Sequence, residues 1–140
     1  MIRWGLKQTD LLKISEEELD FLKLGSPEKA VGRLFDRYGL SLVMVTMGEK
    51  GCFLKNGQAS CLLPAVAEKA VDTTGAGDIF GGSALSCILK KGKALRDLDE
   101  KDLGEIAAFA NAAAGLSVLK KGGMLSVPSE EEVRKRLEKA

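Results

Sequence analysis

The chain has 140 residues, and its 21 basic and 20 acidic side chains leave a formal net charge of +1. Hydrophobic residues make up 45% of it, as in an ordinary globular domain, and no basic footprint for nucleic acid is present. No apolar run reaches the ~18–20 residues that span a bilayer, and the first ten residues lack the apolar stretch of a signal peptide. We therefore expect a cytoplasmic protein that binds neither nucleic acid nor membrane.

The sequence contains no histidine, which excludes His-dependent triads, His-containing zinc sites and His general bases. Acid–base chemistry must then come from carboxylates, Lys, Tyr or Cys. The three cysteines, Cys52, Cys61 and Cys87, show no C-x-x-C spacing. We expect them to be free structural thiols in a reducing compartment.

The first half of the chain predicts two strand–helix steps and a hairpin. Residues 11–14 read as a buried strand, followed by a capping box, Ser15 with Glu18, that opens a helix to about residue 24. A second helix is predicted from Pro27 to Tyr38, and the apolar run 42–46 predicts a central parallel strand covered on both faces. Asn56-Gly57 predicts a two-residue turn between strands 51–55 and 58–63, which would place Cys52 opposite Cys61.

The second half predicts three helices. A glycine-rich segment, 71–82, opens the first, which Lys90-Lys91-Gly92 closes. An acidic turn at 97–102 leads into a second helix over 103–119, and a loop at 120–126 precedes a last helix over 130–139. Alternating strands and helices favour an α/β layered domain with a mostly parallel sheet, in which ligands bind at the carboxyl ends of the strands.

The chemistry is concentrated in residues 72–78, Asp-Thr-Thr-Gly-Ala-Gly-Asp. Small residues before a helix leave backbone N–H groups free to bind an anion. A carboxylate beside an anion site suits phosphoryl transfer, in which it accepts the proton of the attacking hydroxyl. The P-loop motif is absent, and Phe80 breaks the G-x-G-x-x-G register. The competing interpretation is a glycine-rich turn capped by Thr and Asp, which we disfavour for all seven residues at a helix start.

Residues 72–78 with Phe80 resemble the D-T-T-G-A-G-D-x-F signature of ribokinase/PfkB carbohydrate kinases. Residues 46–51 are similar to the family's T-x-G-x-x-G nucleotide loop, and residues 120–128 to its closing K-G-x-x-x-S-x-P segment. The form of residues 13–18, K-I-S-x-x-E, is similar to fructokinases rather than to the N-x-x-E of ribokinases. The resemblance implies a ribokinase-like three-layer α/β/α fold, a mostly parallel sheet plus a β-hairpin, with residues 1–140 forming the C-terminal portion of the kinase domain.

The resemblance also implies roles for individual residues. Asp78 would be the base for the sugar hydroxyl, and Gly75, Ala76 and Gly77 the anion hole. The nucleotide would be held by Thr46, Gly48, Gly51, Gly77 and, near the adenine, Asn111. A monovalent cation, K⁺ in many members, would be bound by Asp72, Thr74, Ser117, Lys120, Gly122 and Ser126. Glu18 would act on the Mg²⁺–phosphate shell through water.

Two of these assignments have alternatives that the residues leave open. Glu18 would serve equally well as the carboxylate of the capping box, and both roles are compatible. Residues 120–123 would also suit a solvated loop that ends a helix.

Family members are roughly twice as long as this chain, so the resemblance implies a fragment whose N-terminal half supplies most sugar contacts. The expected activity is MgATP-dependent phosphorylation of a hexose such as fructose, in a parent that could be a homodimer. The alternatives are a nucleotide-binding module without turnover and a kinase for a nucleoside or another small hydroxyl substrate. A truncated sheet would also expose a strand edge and an apolar face.

Overall fold

A computed structural model describes residues 2–66 and 69–140 of the chain. Within them, the helices are α1 (Ile2–Leu6), α2 (Glu16–Phe21), α3 (Pro27–Tyr38), α4 (Ala76–Lys91), α5 (Glu100–Ser117) and α6 (Glu130–Lys139). The strands are β1 (Leu11–Ser15), β2 (Leu42–Thr46), β3 (Cys52–Asn56) and β4 (Ser60–Leu63). Short 3-10 turns cover Gly48–Lys50, Leu95–Asp97 and Gly123–Ser126.

The described strands form one mixed sheet in the order β1-β2-β3-β4. β1 and β2 are parallel because α2 and α3 carry the chain back between them, whereas β2–β3 and β3–β4 are antiparallel. The expectation of a mostly parallel sheet therefore holds here only for the β1–β2 pair. The 3-10 turn between β2 and β3 is too short for a crossover, and so it reverses the chain.

Both faces of β2 are buried, as its continuous apolar run predicted. Leu42 and Met44 face α4 and α5. Val43 and Val45, which alternate with them, face α2 and α3. The result is three layers, with α2 and α3 on one side of the sheet and α4 and α5 on the other, and with α6 packed on α5 through Val133.

Most predicted elements are confirmed, and the helix ends differ where caps decide them. α2 is shorter than predicted, although the capping box of Ser15 and Glu18 is present as expected. α5 starts at Glu100 rather than 103, because Asp99 and Asp102 form a second capping box in the predicted acidic turn. The expected open edge and exposed apolar side chains are present: among the described strands β1 pairs with β2 alone, and Leu89 on α4 is 75% exposed.

The predicted hairpin register is wrong. Cys52 pairs with Leu63 and Cys61 with Leu54, so the two cysteines are diagonal rather than opposed. The cause is Asn56, which is fully buried and ends β3 instead of entering the turn. Its side-chain oxygen accepts from the N–H groups of Gln58 and Ala59, and its amide donates to two carbonyls before α5.

Two expectations about the whole chain concern its thiols and its relation to membranes. The three cysteines are free, and burial is the main cause that raises the pKa of Cys52 to about 12. In the part of the chain that the structure describes, no helix has the length and apolarity to cross a bilayer.

Candidate functional site

A cavity of about 690 Å³ opens between the two glycine-containing loops and α5. All five residues predicted to hold a nucleotide line it: Thr46, Gly48, Gly51, Gly77 and Asn111. These five residues come from three separate segments, the loop after β2, the start of α4 and the middle of α5. They meet near the carboxyl end of β2, where ligands bind in such folds. Their role toward a nucleotide stays a prediction.

The loop after β2 shapes one wall of this cavity. Gly51 has φ +102°, and a Cβ built on it would lie 2.0 Å from the carbonyl oxygen of Leu63. The end of β4 therefore presses directly on the backbone at Gly51, a contact that only glycine permits. Lys50, in the same loop, forms an ion pair with Glu16 at 3.0 Å, which ties the loop to the start of α2.

The opposite wall is the start of α4. Gly75 is its N-cap, with φ +78°, and Gly77 and Ala76 face the cavity. The N–H groups of a first helical turn point outward and carry the positive end of the helix dipole. The Ala76 N–H donates to the Thr73 carbonyl at 3.2 Å. Of the three predicted anion-hole residues, Ala76 is thus already engaged within the loop.

Asp78 lies on the other side of the same turn. It is exposed and lines a second cavity, of about 650 Å³, together with Thr74, Gly75 and Ile79. The loop 72–78 therefore separates two cavities, with Gly77 on one and Asp78 on the other. This arrangement presents the backbone of Gly77 and the carboxylate of Asp78 to different cavities, and their roles as anion hole and base stay predictions.

Asp72 joins the glycine-rich loop to the loop before α6. Its two carboxylate oxygens accept hydrogen bonds from the N–H of Thr74 (2.9 Å) and of Gly122 (3.1 Å). Hydrogen bonds from Thr74, from its side chain first, and from Gly122 lower the pKa of Asp72 to about 2. The carboxylate is consequently ionised at neutral pH and is held between two of the predicted cation ligands.

The other predicted cation ligands, Ser126, Ser117 and Lys120, each contact a different part of the chain. The buried Ser126 hydroxyl donates to the Gly123 carbonyl at 2.6 Å, and the Ser117 hydroxyl donates to the Ala114 carbonyl at 2.7 Å. The Lys120 ammonium lies 3.4 Å from Glu132. Asp72 contacts Thr74 and Gly122, and Ser126 contacts the neighbouring Gly123, whereas Ser117 lies in the last turn of α5. A monovalent cation held by these residues stays a prediction.

Glu18 is occupied as a cap. Its Oε2 accepts from the Ser15 N–H at 2.8 Å, and the Ser15 hydroxyl accepts from the Glu18 N–H at 3.1 Å. The hydrogen bond from the Ser15 backbone is the main cause that lowers the pKa of Glu18, and the charge of Lys13 contributes. Ser15, which Glu18 caps, pairs with Thr46 across the sheet, at the end of the strand that leads into the loop 46–51.

Sequence reasoning assigned no role to Lys13, although this residue begins the K-I-S-x-x-E form. A Cβ built on Gly77 would lie only 2.9 Å from the Lys13 ammonium, so this cation lies against the start of α4. The sequence did show a charged residue, Lys13, in the middle of the otherwise apolar strand Leu11–Ser15. Asn111 makes a hydrogen bond that the sequence did not predict: its side-chain amide donates to the Leu63 carbonyl at 3.4 Å.

The chain matches the family model described as pfkB family carbohydrate kinase over residues 1–130. It is 40% identical over 134 residues to fructokinase-1 of Zea mays, covering 95% of this chain and 41% of that protein. It is 32% identical to the ribokinase of Haemophilus influenzae, with coverage of 96% and 43%.

Solved structures agree with these sequence matches. The fructokinase of Xylella fastidiosa with bound ATP superposes with a TM-score of 0.87 at 26% identity, covering 99% of this chain and 45% of that one. The fructokinase of Vibrio cholerae in a fructose-, ADP- and calcium-bound form gives a TM-score of 0.83 at 28% identity, with coverage of 97% and 43%. These neighbours confirm the ribokinase-like fold.

Fold and sequence together identify the class of protein as that of the carbohydrate kinases. It belongs to the pfkB family, since the family model spans 130 of its 140 residues. It spans about 41% of the length of the maize fructokinase that it matches.

Proposed function

We propose that this chain is the ATP-binding and phosphoryl-transfer portion of a fructokinase-like sugar kinase, with residues 1–140 forming the C-terminal part of the kinase domain. The observation that carries the proposal is the shared cavity of Thr46, Gly48, Gly51, Gly77 and Asn111, directly beside a helix start that bears a carboxylate. Relatives named fructokinase and ribokinase support the substrate class, and one neighbour contains fructose with ADP.

In this proposal the nucleotide occupies the cavity with its adenine toward Asn111 and its phosphates toward Gly77. The Asp78 carboxylate takes the proton of the acceptor hydroxyl, whose oxygen then forms a bond to the γ-phosphorus while the bond to the ADP oxygen breaks. The N–H groups at the start of α4 stabilise charge that develops on the transferring phosphoryl group. Asp78 faces away from the nucleotide cavity, so the sugar approaches from its side of the loop.

The proposal includes two metal ions. Mg²⁺, when bound with ATP, would neutralise phosphate charge, and Glu18 would hold it through water while keeping its capping bonds. The Asp72 carboxylate, which contacts the backbone of Thr74 and Gly122, would hold K⁺ with oxygens of Thr74, Gly122 and Ser126 as further ligands, and the ion would so fix the loop that carries the anion hole. Neighbours in the family contain Mg²⁺ with ATP, or K⁺ with fructose and ADP.

A coupled ADP-release assay with fructose, and with ribose and a nucleoside as competing acceptors, tests the activity. We expect the chain by itself to bind ATP but to turn over poorly, because relatives have more than half of their length outside the matched region. Fructose turnover by the isolated monomer at ~1–100 s⁻¹ would contradict this expectation and show that 140 residues suffice.

The alternative that an observation favours is a nucleotide-binding module without turnover. The open β1 edge and the exposed Leu85 and Leu89 of α4 leave the Asp78 side of the chain without the cover that a sugar pocket needs. ATP binding measured by calorimetry, with no acceptor-dependent ADP release even after addition of the N-terminal part of a fructokinase, would favour this alternative. Preferential turnover of a nucleoside would instead change the acceptor class.

A further inference from the structure

The last helix, α6, crosses α5 and contributes side chains to both cavities. Glu130 and Val133, in its first half, line the cavity on the Asp78 side. Arg136, nearly one turn further along, lines the proposed nucleotide cavity. The crossing is close-packed, because Val133 is buried together with alanines of α5. α6 therefore brings a long, half-buried arginine to the nucleotide cavity from outside the two glycine-containing loops.

Arg136 borders the end of the cavity that the proposed function assigns to the base. Ala112 belongs both to the α5–α6 contact around Val133 and to the cavity wall. It directly follows Asn111, toward which the adenine is placed. α6 packs mainly on α5, whereas Gly77, beside which the phosphates are placed, belongs to α4. The guanidinium therefore enters the cavity on the side of the base and not on the side of the phosphates.

The described wall of this cavity offers a base no exposed aromatic ring. Among the described residues that line it, Phe80 is the single aromatic, and it is 2% exposed because it belongs to the core beneath. Next to Asn111, α5 contributes three small side chains to the wall, those of Ala112, Ala114 and Gly115. A flat base can lie close to such a surface. The guanidinium of Arg136 is a planar cation at its border, and guanidinium planes stack on the faces of bases.

We propose that Arg136 stacks its guanidinium on the purine base of the nucleotide, at the α5 side of the cavity. This rests on the proposed function, since that function places the base at Asn111. Stacking uses the face of the guanidinium, so the N–H groups in its plane remain available for the contacts that Arg136 makes within the protein. Arg136 then contributes to the binding of the base and not of the phosphates. It also makes α6, which carries none of the proposed catalytic residues, part of the nucleotide site.

The test compares Arg136→Ala and Arg136→Lys with a matched control, Arg134→Ala. Arg134 lies on the same helix but is exposed, and it pairs with Glu130 one turn away. Calorimetric Kd values are measured for ATP, adenosine and inorganic tripolyphosphate. Loss of the stacking contact predicts about a 3–30-fold weaker affinity for both ATP and adenosine in Arg136→Ala, with tripolyphosphate unchanged. Arg136→Lys keeps the charge but not the plane, so its affinities should stay closer to those of Arg136→Ala than to those of the unaltered chain. Arg134→Ala should lose no affinity.

The three ligands separate the possible results. Unchanged ATP affinity in Arg136→Ala, or full recovery in Arg136→Lys, overturns the stacking and leaves the nucleotide site standing. Weaker binding of ATP and tripolyphosphate with adenosine unchanged would make Arg136 a phosphate contact and also overturns the stacking. If the unaltered chain binds neither ATP nor adenosine, the proposed function fails together with the role of Arg136. Thermal melting establishes that each variant is folded. Should Arg136→Ala not fold, the adenosine affinity of Arg136→Lys decides, because a normal value there overturns the stacking.

Discussion

Gly51 and Gly77 line the same cavity but are glycine for different reasons. At Gly51 an added Cβ would meet backbone atoms, 2.0 Å from the Leu63 carbonyl and 2.6 Å from the Ala65 nitrogen. At Gly77 it would meet only the flexible end of the Lys13 side chain, at 2.9 Å. The first loop needs glycine in order to fold, and the second, in our proposal, in order to leave room for a phosphate. A glycine-rich motif in a sequence does not distinguish these two causes.

The largest expected effect is that of Asp78→Asn, which tests whether the loop 72–78 takes part in catalysis. Asn retains the size and can hydrogen-bond the acceptor hydroxyl but cannot take its proton. We expect kcat to fall by 10²–10⁴-fold, roughly 3–5 kcal/mol of barrier, while the Kd for ATP changes little. The measurement is ADP release in a preparation that turns over sugar. Asp36→Asn, an exposed carboxylate on α3, is the control. A near-normal kcat for Asp78→Asn would reduce Asp78 to a helix-start carboxylate.

Gly51→Ala tests the structural half of the comparison. The new methyl group cannot avoid the end of β4, and φ +102° is itself unfavourable for alanine. We expect the free energy of unfolding to fall by about 3 kcal/mol or more, measured by urea denaturation. Gly48→Ala is the matched control, because Gly48 has φ +55° and an added Cβ there would meet no atom within 4 Å, so only backbone strain of about 1–2 kcal/mol applies. Equal midpoints for the two variants would contradict the close-contact argument.

Gly77→Ala should affect ATP binding more than stability, the reverse of Gly51→Ala. The free energy of unfolding should stay within about 1 kcal/mol of the original, because alanine favours the helix and Lys13 can move aside. ATP affinity should fall roughly tenfold, since the methyl group and the displaced ammonium both alter the phosphate position. Combining it with Lys13→Met in a double-mutant cycle should give a clearly non-additive loss. Additive losses would mean that the two residues act at separate places.

The sequence predicted the elements better than their pairing. Apolar runs located β1 and β2, and a capping box located the start of α2, because each pattern is local. The hairpin register failed because Asn56 is held by carbonyls of Leu95 and Leu98, some forty residues away along the chain, which no local turn preference contains. The Asn56-Gly57 pair matches the preferred sequence of a two-residue turn, but Asn56 is instead a buried residue at the end of β3.

The candidate site divides in the same way. Its loops were predictable because their glycines, hydroxyls and carboxylates are contiguous in residues 46–51 and 72–78. Lys13 was not, because its relation to Gly77 depends on how β1 and α4 pack across more than sixty residues of chain. Functional residues that are close together along the chain can be recognised in the sequence. A charged residue that reaches the site from another layer of the fold can be recognised only in the structure.

The smallest expected effect concerns Asp72, which connects the proposed reactive loop to the loop at Gly122. Hydrogen bonds from Thr74 and Gly122 hold the pKa of Asp72 at about 2, below the ~3.9 of an unfolded Asp. A depressed folded-state pKa contributes stability that is fully present above the unfolded value and is lost as the pH falls through the folded value. Asp72→Asn should therefore be less stable than the original chain at pH 7, and the difference should shrink between about pH 4 and pH 2. Urea denaturation across this range measures it, with Asp36→Asn again as the exposed control. A stability difference that does not change with pH would show that Asp72 acts through packing and not through its charge.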